Sequence, residues 1–94
     1  MRIRYAETAL ADLDAIHDYQ AAHWPLARAA FEVRLTAIET RLLQFPHGAP
    51  EVAERPGVRV AAFLHFPYRL FYRVNEETIE VLAIRHTSRR PLYE

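Results

Sequence analysis

Apolar positions along this chain follow two spacings, helical in the first half and alternating in the second. Before either, Arg2-Ile3-Arg4-Tyr5 alternates polar with apolar and predicts a short opening strand. Thr8 is placed to cap a following helix, with Asp12 and Asp14 near its positive end. Leu10, Leu13, Ile16, His17 and Tyr19 then make one face, and Asp12, Asp14 and Asp18 are expected mostly away from it. The helix should stop near Ala22, and Pro25 suits the first turn of the next one, where its missing N–H costs nothing. Phe31, Leu35, Ile38, Leu42 and Phe45 recur at helical spacing and predict one apolar stripe ending before Pro46 and Gly48. With so short a connection the two helices should form an antiparallel hairpin.

Glu51 to Gly57 reads as a loop, and the period then changes to two. Val58–His65, Tyr68–Asn75 and Thr78–His86 read as three strands joined by short turns, which implies an antiparallel meander. On the middle strand Tyr68, Leu70, Tyr72 and Val74 take one face, and Arg69, Phe71 and Arg73 the other. The expected fold is α+β: strand, helix, helix, then a three-stranded meander. The helical hairpin covers one face of a small sheet and leaves the other for a partner.

Length keeps this to a single domain over 1–94, with room for one core. Twelve basic and twelve acidic residues cancel, which argues against charge-driven binding of nucleic acid. Every basic residue is Arg, so no amine is available for Schiff-base or lysine general-base chemistry. Cysteine is absent, which removes disulfides, thiol catalysis and cysteine-held metals. Two glycines, Gly48 and Gly57, are too few for a phosphate-binding glycine loop, and Ser88 lies in no nucleophile elbow. The histidines at 17, 23, 47, 65 and 86 lack metal-ligand spacing, so neither a metal nor a cofactor is expected. MRIRYAETAL is no signal peptide and no apolar run is long enough to span a membrane, so a cytoplasmic protein is expected.

The charges are balanced in sum but segregated along the chain. Arg59, Arg69 and Arg73 fall between Val58 and Val74 with no acid among them. Arg85, Arg89 and Arg90 lie in an acid-free run with His86 and Tyr93. Two readings stand side by side. Arg69 and Arg89 can face a common anion, with His86 or Tyr93 moving a proton; or the arginines form a solvated sheet face paired with Glu76, Glu77, Glu80 or a partner's acids. Trp24, beside Pro25, reads as an apolar plug at the helical turn or an exposed anchor.

Beyond these patterns the chain resembles a known family. Phe45-Pro46-His47-Gly48, Arg55-Pro56-Gly57-Val58-Arg59 and Pro67-Tyr68-Arg69-Leu70-Phe71-Tyr72-Arg73-Val74 resemble the RelE/ParE superfamily of bacterial toxins. The closing Val81–Pro91 run and the early Ala11–Tyr19 segment fit the same family. The resemblance implies the toxin of a type II toxin–antitoxin module, held inactive in a hetero-oligomer by a cognate, ParD-like antitoxin. Its ParE branch poisons DNA gyrase; its RelE branch cuts messenger RNA on the ribosome. In the nuclease branch Arg69 would match the middle-strand arginine, Arg89 the second arginine and Tyr93 the late tyrosine. The missing lysines and the Phe71-Tyr72-Arg73 run place the chain closer to the ParE branch. An apolar groove between hairpin and sheet, edged by Arg34, Arg41, Arg59 and Arg73, would then suit an acidic amphipathic antitoxin segment.

Overall fold

The two spacings of the sequence separate into two layers. The computed structural model describes residues 1–88. It contains β1 (Arg2–Tyr5), α1 (Glu7–His23), α2 (Ala27–Gln44), β2 (Val58–Ala62), β3 (Tyr68–Asn75) and β4 (Thr78–His86). The expected α+β order holds, with the helical hairpin on one face of the sheet. Strand order is β1-β4-β3-β2. The meander β2-β3-β4 is antiparallel, while β1 lies parallel to β4, Arg2 opposite Thr78 and Tyr5 opposite Val81. A parallel pair needs a long connection, and here the helical hairpin, β2 and β3 all lie between β1 and β4 in the chain.

The core sits where α1 and α2 meet the sheet. Leu70 and Tyr72 of β3 and Ile79 and Val81 of β4 have no exposed surface, and neither does Phe31 of α2. Phe31 stacks on Phe63 with ring centres 4.9 Å apart and meets Phe66 and Tyr68 edge-on at 5.5 and 5.8 Å. A bulge tunes the other half of β4. Phe71 opposes Ala83 but Tyr72 opposes Val81, so Leu82 is the extra residue. Strict alternation would send Val81 and Ile84 to opposite faces; the bulge lets both reach the same core.

The far face is not wholly open, because residues 50–57 fold back over one end of it. Val52, Val58, Phe71 and Ala83 form a second buried cluster there. The surface expected to be free for a partner is therefore reduced to its arginine-bearing part.

Several local expectations give way to tertiary contacts. Ala6, not Thr8, is the N-cap of α1, and the Thr8 hydroxyl instead donates to the Leu82 carbonyl at 2.6 Å. The buried face of α1 is Ala9, Ile16 and Gln20, whereas Leu10 and Tyr19 are about half exposed. Asp12 does not face away: its Oδ2 accepts the Ile84 backbone N–H at 2.9 Å. Thr8 and Asp12, one turn apart, thus complete the hydrogen bonds of β4 past the end of β1, where an open strand edge would otherwise lie. Pro25 precedes the Leu26 N-cap of α2 rather than lying in its first turn. Phe45 leaves the apolar stripe and is exposed. β2 stops at Ala62, since residues 63–67 turn, with His65 at a positive φ of 69°.

Gln20 is an oddity in the α1 core face: it is 1% exposed, yet its Oε1 has no hydrogen-bond partner among the described residues. An unpaired buried acceptor costs about 1–3 kcal/mol. Gln20→Leu, similar in volume and free of that cost, should raise stability by about 1 kcal/mol and Tm by roughly 4–8 °C in a thermal melt. A lowered Tm would mean that the amide is satisfied in solution.

Candidate functional site

The arginines that the sequence grouped together have different fates. Arg4 of β1 and Arg73 of β3 both point to the face away from the helices, and both bind Glu80 of β4 between them. Arg73 Nε donates to Glu80 Oε1 at 2.9 Å, and Arg4 donates to Oε2. Glu80 is only 7% exposed. The Arg4 hydrogen bond, with Arg73 second, outweighs burial and holds its carboxyl below the ordinary glutamate value. Arg85, opposite Arg69 in the sheet, reaches round the strand edge to Asp12 Oδ1 at 3.4 Å. Arg69 remains exposed, with no ion pair among the described residues.

His86 does not meet Arg69. It pairs across the strands with Tyr68, on the helix side, while Arg69 faces the other way. His86 Nδ1 accepts from the Ser88 backbone N–H at 3.1 Å and lies 2.7 Å from its hydroxyl. Neutral His86 consequently carries its proton on Nε2 and is a donor there. Arg89 and Tyr93 lie outside the described residues.

The four arginines assigned to the antitoxin groove also divide. Arg59 points to the helix side and is a staple of the loop that precedes β2: its Nη1 donates to the carbonyls of Ala49 and His47 at 2.7 and 3.0 Å. The buried Tyr72 adds a hydroxyl bond to Pro46 O at 2.9 Å. Arg73 is held by Glu80 on the opposite face. Arg41 does border an apolar groove of about 480 Å³ between α2 and the sheet-edge strand β2, with Ile38, Phe45 and Val60. Arg34 is half-buried on α2 and does not line that groove.

A second pocket, of about 380 Å³, opens between α1 and the ends of β3 and β4. Its walls are Ile16, Ile84, Tyr19 and Trp24, and its polar side carries Arg85 and His86. Sequence reasoning named these residues separately and did not join them. Nor did it single out Asp12 and Arg4 for their pairings. For Arg4 the signal was present: Arg2-Ile3-Arg4 alternation puts it on the polar face, and Glu80 is the lone acid within the apolar run Ile79–Ile84. For the pocket there was none, because its walls come from elements far apart in sequence.

The architecture, a small mixed sheet under a helical hairpin, is shared with solved structures of other proteins. A chain of the chromosomal ParDE toxin–antitoxin system from P. aeruginosa superposes with a TM-score of 0.73 at 29% identity, over 94% of this chain and 97% of that one. The isolated E. coli RelE toxin superposes with a TM-score of 0.64 at 19% identity, over 97% and 88% of the two chains, a likeness of fold. No curated protein matches in sequence. The family model for the ParE toxin of the type II toxin–antitoxin system parDE matches residues 3–91, and the chain belongs to that family.

Proposed function

We propose that this toxin arrests growth by binding and poisoning DNA gyrase in the cytoplasm, and that a cognate ParD-like antitoxin neutralises it in a hetero-oligomeric complex. Membership in the ParE family carries the reading. The state of the arginines supports protein binding over RNA cleavage. A nuclease site needs free cations converging on a phosphate with a proton-transfer group beside them. Among the described residues Arg4 and Arg73 share the Glu80 carboxylate, Arg85 is paired with Asp12, and Arg59 is spent on loop carbonyls. Arg69 and His86 lie on opposite faces.

Expression without the antitoxin should stop growth with DNA-damage signalling, co-expression should restore it, and purified toxin should block gyrase supercoiling. Arg69→Ala should keep that inhibition. Supercoiling untouched at stoichiometric excess would defeat the gyrase assignment. Transcript cleavage in a translating lysate, lost in Arg69→Ala, would put ribosome-dependent messenger-RNA cleavage in its place.

A further inference from the structure

The edge of the sheet at β2 is only half covered. Phe63 N–H donates to the Tyr68 carbonyl at 3.0 Å, so odd-numbered residues turn their backbone groups to β3, and Val58, Val60 and Ala62 turn theirs outward. Residues 50–52 run antiparallel along the first part of that edge. Val52 N–H donates to the Val58 carbonyl at 2.7 Å, and the Pro50 carbonyl accepts the Val60 N–H at 3.0 Å. The ladder stops there. Proline has no N–H to return to the Val60 carbonyl, and the chain before it is held on the helix side, where Arg59 binds the carbonyls of His47 and Ala49. Ala62 is exposed, and neither its N–H nor its carbonyl has a hydrogen-bond partner among the described residues.

Beside these groups lies the groove of about 480 Å³ between α2 and β2. Ile38, Leu42, Phe45 and Ala61 line it. Among the described residues Arg41 is the one charged side chain on its wall, and it has no ion pair there. A strand stands about 4.8 Å from its neighbour. A chain continuing the line of residues 50–52 past Pro50 would therefore turn alternate side chains into this groove. An open strand edge invites unwanted pairing, and a toxin kept in a lasting complex has that edge covered by the protein that holds it.

Resting on the reading of the chain as a toxin held by an antitoxin, we infer that an extended segment of the antitoxin adds to the sheet here as a short strand beyond β2. It exchanges hydrogen bonds with Ala62, puts an apolar side chain between Ile38, Leu42 and Phe45, and brings a carboxylate to Arg41. The unmet backbone groups select the conformation of this segment. A helix bonds its own N–H and C=O groups and would leave those of Ala62 without partners, whereas an extended chain supplies both.

Amide exchange read by NMR, on the free toxin and on its complex with the cognate antitoxin, tests the pairing directly. The Ala62 amide should exchange freely in the toxin alone and roughly a hundredfold more slowly in the complex. Ala62→Pro removes that N–H at an edge position where nothing inside the fold uses it. The variant should keep the wild-type melt and bind the antitoxin about tenfold or more weakly, the loss of one or two hydrogen bonds. Arg41→Glu should weaken binding more at low salt than at high salt. An Ala62 amide that exchanges as fast in the complex as in the free toxin overturns the proposal, whether or not Ala62→Pro folds. So does full-strength binding by a folded Ala62→Pro or Arg41→Glu protein. Protection of Ala62 that rises with the concentration of toxin alone would give the edge to a second copy. Growth arrest lost in Ala62→Pro with antitoxin binding intact would give it to the target. Both results overturn the proposal. Toxin and antitoxin that do not bind at all refute the toxin–antitoxin reading and this proposal with it, whereas binding without protection of Ala62 refutes this proposal alone.

Discussion

Phe31→Ala should lower the stability of this protein by about 3–5 kcal/mol, the cost of emptying a fully buried aromatic position. Phe31 has no exposed surface and packs on the rings of Phe63, Phe66 and Tyr68, so its removal leaves a cavity beside them. Those rings come from the β2–β3 turn and the start of β3, and they cannot collapse onto an alanine without moving the sheet. A small domain has only about 5–15 kcal/mol in all, so the variant should melt roughly 15–30 °C lower or fail to fold. Phe45→Ala is the comparison. It lies on the same helical stripe by sequence but is 63% exposed, and its loss should cost no more than about 0.5 kcal/mol. Equal effects in urea denaturation would refute the description of this core.

Glu80→Gln should show its effect as a change in pH dependence. Glu80 joins β1, β4 and β3 through Arg4 and Arg73, and its carboxyl titrates below the ordinary glutamate value. A carboxylate whose folded-state pKa is depressed stabilises the fold fully above the unfolded value, and that contribution fades as pH falls through the folded one. Both guanidinium groups are more than half exposed, so solvent weakens the network and the substitution should cost about 1–2 kcal/mol at neutral pH. Urea midpoints measured from neutral pH down through the carboxylate range should fall for the wild type and change less for Glu80→Gln, the two curves converging at the acid end. Parallel curves would mean that the network contributes nothing.

What was legible beforehand followed from local spacing. The alternation at residues 68–75 assigned Tyr68, Leu70 and Tyr72 to one face and Arg69 and Arg73 to the other, as the sheet has them. The same logic misplaced Leu10 and Asp12. A helix face read from apolar residues alone cannot detect that Asp12 is needed to satisfy a strand edge. Four arginines assigned to one groove separated because Arg59 and Arg73 occupy opposite faces of neighbouring strands, a consequence of register.

The sequence by itself determined the order of elements, the change from helical to strand period and the chemistry that twelve arginines, no lysine and no cysteine permit. These are properties of neighbouring residues, and the backbone reads them locally. Only the tertiary structure decided that β1 runs parallel to β4, that Leu82 bulges and that Glu80 holds Arg4 and Arg73 together. It also decided that Trp24, Tyr19 and His86 meet at one pocket. Each of these depends on which distant segments lie side by side, and strand order and register are chosen by burial and hydrogen-bond satisfaction summed over the whole sheet.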